Sequence, residues 1–298
     1  CERGMGSAFG QNPDVMETIV GWVMEVAQLP VIVKLTPNIT DVTIPARAAK
    51  RAGANAISLI NTINSITKVN LDRLIPEPYV DGKSAHGGYC GPAVKPIALN
   101  MLENCASDPE VKLPISGIGG ISNWRDAAEF IALGSGSVQV CTAIMHYGFR
   151  IVEDMIEGLS DYLDSKGMHS ITELQGKALK TVDRWENLNL NYKRIAAIDY
   201  DSCIGCNLCF VACEDGAHQA IALSDAGARG LGPGRLPGKP IPEIKETECV
   251  GCNLCSIVCP VDNCITMVDV DTGKDAMSWK NYQQGLNTGT ISKIPAHH

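Results

Sequence analysis

Eight of the thirteen cysteines stand in two copies of one spacing: Cys203, Cys206, Cys209 and Cys213 in CIGCNLCFVAC, then Cys249, Cys252, Cys255 and Cys259 in CVGCNLCSIVCP. Three thiolates two residues apart wrap one face of a 4Fe-4S cluster, and the fourth, set off by a three-residue spacer, reaches the neighbouring cluster. The spacing therefore predicts two crossed quartets, Cys203, Cys206, Cys209 with Cys259, and Cys249, Cys252, Cys255 with Cys213. A zinc site is the plainer alternative, but it needs four ligands, usually from paired C-x-x-C knuckles, and does not explain two full quartets with Pro260 after the last.

Cys1, Cys90, Cys105, Cys141 and Cys264 are dispersed and odd in number, unlike a secreted disulfide framework. Cys90 and Cys264 are expected to pack as small apolar residues, Cys264 in a strand of the cysteine-rich domain. Clusters need a reducing compartment, so the expected location is cytoplasmic. No apolar run approaches the roughly 18 residues of a membrane span, and no signal peptide opens the chain. The start at Cys1, without methionine, suggests a segment of a longer protein. A net charge of −8 argues against nucleic acid or an anionic membrane as partner.

Across the first 165 residues, apolar runs alternate with amphipathic ones. VIVKLTP from Val31, AISLINT from Ala56, PISGIGG from Pro114 and SVQVCTA from Ser137 read as buried parallel strands. Helical patterns follow each: DVTIPARAAKRAG, PAVKPIALNMLENCA, NWRDAAEFIALG and GFRIVEDMIEGLSDYL, with Asp41 and Asn123 as N-caps of the first and third. This order gives a doubly wound sheet or a TIM barrel. Four units are half a barrel, so the expected fold class is α/β, the C-terminal half of a (β/α)8 barrel followed by a ferredoxin-like domain.

Two features favour the barrel. SGIGGIS and VQVCTA close consecutive strands, so glycine amides and Thr142 lie at helix starts, as in the phosphate site after the last two strands of a barrel. Lys34, Asn61 and Thr62 follow apolar strand residues and are expected at the catalytic mouth. The domains divide at 194/195, with residues 163–195 a helical connector pinned by Trp185 and Tyr192. In the second domain, AAIDYDSC and CITMVDV read as edge strands, and Ser224 to Pro242 as a Gly/Pro-rich surface loop. No G-x-G-x-x-G occurs: GIGGIS breaks at Ser122 and GLGPGR at Arg235, so a nicotinamide is not expected to bind this chain. Clusters pass single electrons while organic reductions need a hydride; FMN in the barrel is the expected link.

The runs ERGMGSAFGQ, VKLTPNITDV, LINTINSI, HGGYCGPAVKPIAL, PISGIGGI and VQVCTA, with the paired cluster motifs, resemble the C-terminal half of the dihydropyrimidine dehydrogenase family, closest to its bacterial catalytic subunits, over nearly the whole chain. The resemblance implies an FMN barrel related to dihydroorotate dehydrogenase that reduces uracil or thymine to the 5,6-dihydro base. Electrons would come from NAD(P)H at an FAD-containing partner, through two 4Fe-4S clusters. It implies that Lys34 is the flavin lysine and that Asn61 and Thr62 bind the pyrimidine. It places Gly88, Gly119, Gly120, Cys141 and Thr142 on FMN, with Cys141 acting through its backbone. Phe9 fills the position where mammalian-type members carry a general-acid cysteine, so the proton donor is open; Ser7, a bound water and Cys1 are the weaker substitutes. The alternatives are another FMN-dependent reductase of the dihydroorotate dehydrogenase type and a ferredoxin-type electron carrier.

Overall fold

A computed structural model describes residues 7–216, 218–224 and 240–292. The chain divides into two units, Cys1–Val182 and Asp183–His298, so residues 183–194 of the expected connector lie with the second unit. Cys1 and most of the Gly/Pro-rich segment, 225–239, fall outside the described residues.

In the first unit, helix α1 (Pro13–Val26) starts after Asn12, whose side chain accepts the amides of Asp14 and Val15. Asparagine at N-cap and proline at N1 are the residues a helix start favours. Four parallel strands follow: β1 (Ile32–Lys34), β2 (Ala56–Leu59), β3 (Ile115–Ile118) and β4 (Ser137–Gln139). They pair in sequence order, and helices α2 (Thr43–Arg51), α3 (Lys95–Ser107) and α4 (Trp124–Ala132) provide the crossovers. After β4 come α5 (Thr142–Tyr147) and α6 (Ile151–Ser165). All four expected strands are present and all are parallel.

The two faces of the sheet differ chemically. Ile57, Leu59 and Ile115 pack with Leu102, Cys105 and Phe130 from the helices in the main core cluster. A Cβ on Gly117 would strike Phe130 of α4, and Leu102 of α3 is close by, so glycine there lets both helices approach the sheet. Each fully buried Leu, Ile or Phe of this layer contributes about 1.5–3 kcal/mol. The register places Lys34, Ser58, Ser116 and Ser137 in one row on the opposite face. Gln139 donates from Nε2 to both Ser58 Oγ and Ser116 Oγ at 2.9 Å, and Ser137 Oγ donates to Ser116 Oγ at 2.9 Å.

Several expectations are corrected. β1 is not buried throughout: Ile32 is 54% exposed, and among the described residues β1 pairs with β2 alone. Asn123 caps α4 as expected, accepting from Arg125 N and Asp126 N. Asp41 stands one residue ahead of the cap position, Val42, though its Oδ1 still accepts the Thr43 amide at 2.9 Å. Residues 63–89, left unassigned from sequence, form three antiparallel pairs: Ile63–Ser65 with Gly87–Tyr89, Lys68–Asn70 with Ile75–Glu77, and Tyr79–Val80 with Lys83–Ser84.

In the second unit, β5 (Lys193–Ile198) and β8 (Ile265–Val270) pair antiparallel, with β6 (Ile221–Ser224) and β7 (Ile241–Ile244) as a second pair. Short helices α7 (Leu208–Asp215) and α8 (Leu254–Ile257) carry Cys209 and Cys213 of the first motif and Cys255 of the second, with Cys259 just past α8, and α9 (Trp279–Thr288) follows. The repeated G-C-N sequence takes a repeated backbone: Gly205 and Gly251 have φ of 67° and 70°, Asn207 and Asn253 of 61° and 66°. Glycine and asparagine are the residues that tolerate this left-handed region. Tyr192 donates to Asp269 Oδ1 at 2.6 Å, but Trp185 is 83% exposed and anchors nothing by burial.

Candidate active site and cysteine cavities

The C-terminal ends of β1 to β4 open on one pocket. Its walls include Lys34 from β1, Asn61 and Thr62 after β2, Gly119, Gly120 and Ser122 after β3, and Cys141 and Thr142 after β4. Of the expected flavin and pyrimidine residues only Gly88 is not in the lining. It pairs with Asn64 beside the pocket, and a Cβ there would collide with Thr62 Oγ1. Glycine at 88 therefore makes room for the Thr62 side chain.

The Asn61–Thr62 segment is held by its backbone and by a residue missed in the sequence. Asn61 N donates to Leu35 O at 3.0 Å and Asn61 Oδ1 accepts Thr62 N at 2.8 Å. Asn38 donates to Thr62 O at 3.1 Å and accepts the Asn64 amide at 2.8 Å, tying the loop after β1 to the loop after β2. Gln11 reaches Asn38 O at 2.8 Å, joining the segment after the short helix Ser7–Gly10 to the same knot. Phe9 lies in that helix, half-buried, and is not among the pocket-lining residues.

Cys90 corrects its expectation: it is exposed and lines the pocket, and its sulfur accepts a hydrogen bond from Thr142 Oγ1 at 3.2 Å. Gln139, also unassigned from sequence, lines the pocket floor while bonding Ser58 and Ser116. The glycines after β3 suit an anion cradle. Gly119 and Gly120 have φ of 142° and 76°, and a Cβ on Gly120 would lie 2.8 Å from Gly91 O and 2.9 Å from Lys95 Cβ. Only glycine brings the backbone this close while leaving its amides free for a ligand.

Lys95 and Asp126 lie behind this loop. Lys95 Nζ bonds Asp126 Oδ1 at 2.6 Å and Glu129 Oε2 at 2.9 Å. Asp126 Oδ2 accepts from Ser122 N at 2.9 Å and Ser122 Oγ at 3.0 Å. Burial works to raise the Asp126 pKa, but Lys95 and the Ser122 bonds outweigh it and hold the carboxyl below its ordinary value. The bond to Asp126 raises the Lys95 ammonium above its own, so both are charged at neutral pH.

In the second unit the cysteines ring two cavities. One is lined by Cys213, Cys249, Cys252 and Cys255, the other by Cys203, Cys206, Cys209 and Cys259 with Cys264 beside them. This is the crossed grouping expected from the spacing. Among the described residues no group of three or more His, Cys, Asp or Glu converges on a point a single ion could occupy; the thiols stand around a space instead. Burial pushes the Cys209 thiol up to about 12 and raises Cys255. A coordinating metal deprotonates such thiols outright, so these buried thiols fit a cationic cluster. Backbone amides already face the sulfurs, Ala220 N on Cys213 at 3.2 Å and Ala196 N on Cys249 at 3.4 Å. Cys264 is buried as expected, next to the start of β8.

No helix among the described residues is long and apolar enough to cross a membrane. Comparison with known families matches residues 3–163 to dihydroorotate dehydrogenase and 196–267 to the 4Fe-4S dicluster domain. The first implies FMN and the second two 4Fe-4S clusters. The chain is 46% identical over 224 residues to the NAD-dependent dihydropyrimidine dehydrogenase subunit PreA of Escherichia coli (strain K12), covering 75% of this chain and 54% of that protein. It is 42% identical over 183 residues to the chloroplastic dihydropyrimidine dehydrogenase (NADP(+)) of Arabidopsis thaliana, 60% of this chain and 43% of that one. To the dihydroorotate dehydrogenase B (NAD(+)) catalytic subunit of Pyrococcus abyssi it is 40% identical over 178 residues, 60% of this chain and 57% of that one. The chain thus spans about half the length of the curated relatives it matches. With its strand-end pocket and its two cysteine cavities, the chain belongs to the dihydroorotate dehydrogenase family, in the form that carries a 4Fe-4S dicluster domain and resembles dihydropyrimidine dehydrogenase subunits.

Proposed function

We propose that this chain is the FMN and iron-sulfur part of a dihydropyrimidine dehydrogenase, reducing uracil or thymine across the 5,6 bond. The observation that carries the reading is the meeting of Lys34, Asn61, Thr62, Gly119, Gly120, Cys141 and Thr142 at one pocket. The four parallel strands with their crossover helices then represent one arc of a (β/α)8 barrel, in which sites lie at the C-terminal strand ends. FMN, when bound, gathers single electrons and delivers them as a hydride.

The protein groups hold, orient and neutralise. Asn61 can match a ring amide with its carboxamide, and Thr62 can donate or accept at a neighbouring carbonyl or N–H. Lys34 brings a cation to the pocket, where it offsets negative charge gathering on the flavin. The amides of Gly119 and Gly120, with those at the start of α5, would hold the flavin phosphate. A proton must also reach the reduced ring. Phe9 has none to give, whereas the exposed Cys90 thiol lines the same pocket.

The two cysteine quartets relay electrons from a partner that oxidises NAD(P)H through FAD, which this chain, lacking a dinucleotide fingerprint, needs. The assembly is a hetero-oligomer in the reducing cytoplasm, in keeping with the free thiols of the described residues. The test mixes the reduced full-length protein with uracil, thymine or orotate and follows flavin absorbance. Fast reoxidation by uracil or thymine and none by orotate is expected; reoxidation by orotate alone overturns the reading in favour of the dihydroorotate dehydrogenase alternative. An absence of flavin would leave the electron-carrier alternative.

A further inference from the structure

The Lys95–Asp126 pair lies behind the glycine loop, is not itself in the pocket lining, and has no part in the chemistry described above. Asp126 has an 8% exposed side chain and Lys95 a 24% exposed one. A buried ion pair is weak evidence for stability, since desolvation offsets much of the attraction. Its geometry suggests another task. Asp126 takes both the amide and the hydroxyl of Ser122, the residue that closes the Gly119–Ser122 turn on the pocket wall. Lys95 forms the other side of the clamp. A Cβ on Gly120 would lie 3.0 Å from Lys95 N and 2.9 Å from Lys95 Cβ, so the loop rests on the first turn of α3. One ion pair thus joins the start of α3, the start of α4 and the loop between β3 and α4.

We propose that Lys95 and Asp126 are positioning residues that set the phosphate selectivity of the flavin site, holding the Gly119–Ser122 turn so that the Gly119 and Gly120 amides receive the phosphate of FMN. The inference rests on the flavin reading above and deepens it. Two physical points support it. Backbone amides stabilise an anion only when they are held in advance; a turn free to rotate must be ordered at each binding event. An unpaired carboxylate at Asp126 would also repel a phosphate dianion, and Lys95 cancels that charge where it stands. Glu129, bonded to the same ammonium, is 47% exposed and screened by water.

The test compares FMN with riboflavin, which has the same ring and ribityl chain but no phosphate. In full-length protein freed of flavin, dissociation constants are read from flavin fluorescence. Wild type should prefer FMN. Asp126→Asn and Lys95→Met should each weaken FMN on the order of 10- to 100-fold, the range of charge-assisted hydrogen bonds, and leave riboflavin nearly unchanged. A purely structural role would weaken both flavins equally, and that result overturns the proposal, as does an unchanged FMN-to-riboflavin ratio. If wild type itself does not distinguish the two, the phosphate-loop reading fails and the proposal with it. Should Asp126→Asn not fold, Ser122→Ala removes only the hydroxyl; it must shift the ratio in the same direction by a smaller factor, and an unchanged ratio there refutes the idea. Lys95→Arg, which keeps the charge, should restore most of the selectivity.

Discussion

Replacing Cys259 by alanine tests the crossed ligation most directly. Cys259 follows Cys249, Cys252 and Cys255 in sequence, yet lines the cavity of Cys203, Cys206 and Cys209. A protein with both clusters carries about eight iron and eight sulfide per chain. Cys259→Ala should remove or convert the cluster held by Cys203, leaving about four iron in the other cavity with its own four thiols intact. Cys213→Ala should do the reverse, because Cys213 lines the cavity of Cys249. Iron and sulfide analysis of anaerobically prepared protein, with electron paramagnetic resonance of the reduced state, gives both counts. The two variants should lose complementary signals. Cys264 lines the same cavity as Cys259 and could take the vacant position, so Cys259→Ala is to be read beside Cys259→Ala/Cys264→Ala. If the double variant loses the Cys249 cluster and keeps the Cys203 one, the crossed assignment is wrong.

Three further outcomes are expected. Lys34→Ala should keep both clusters but slow flavin reduction on the order of 10²-fold, the usual size of a lost preorganised charge contact; unchanged stopped-flow rates would make Lys34 an ordinary surface lysine. Gly120→Ala should destabilise the first unit by about 2–4 kcal/mol, from its left-handed φ and from contact with Gly91 O and Lys95 Cβ, read by urea unfolding of the full chain; a cost under about 0.5 kcal/mol would show that the loop is slack. Cys90→Ala should slow uracil reduction, by up to the 10²- to 10⁴-fold of a positioned acid, while Phe9→Cys changes little. An unchanged rate in Cys90→Ala, with a faster one in Phe9→Cys, would show that Cys90 does not supply the proton.

Much of the scaffold was legible because its signals are local. Val, Ile and Ala runs such as VIVKL and AISLI mark β1 and β2, and the thiol spacing marks both quartets, since each depends on residues a few positions apart. Strand-end placement then brought Lys34, Asn61, Thr62 and Thr142 to one pocket without any long-range information. What escaped notice depends on separation. Lys95 and Asp126 are 31 residues apart, and neither sits in a pattern that names the other. Gln139 reads as an interior strand residue, and only the register shows it bonded to Ser58 and Ser116. Cys90 looked like a small apolar filler because sequence cannot tell a glycine-flanked loop that covers a core from one that opens on a cavity. The strands between Ile63 and Tyr89 are two or three residues long, too short for an alternating pattern to register. Trp185 misled through its size, since a large ring in a short connector need not be buried.

The excursion between Thr62 and Cys90 departs and returns through the single antiparallel pair Ile63–Ser65 and Gly87–Tyr89. That pair is a root: whatever grows beyond it meets the pocket only through the two chains that pass the root. Lengthening such an outgrowth is cheap, about 0.6 kcal/mol for each doubling of a flexible loop. The outer hairpins can therefore be trimmed, extended or exchanged between related proteins while Asn61, Thr62 and Cys90 keep their places. A graft at Lys68–Ser84 is therefore the place to change the surface without disturbing the pocket chemistry.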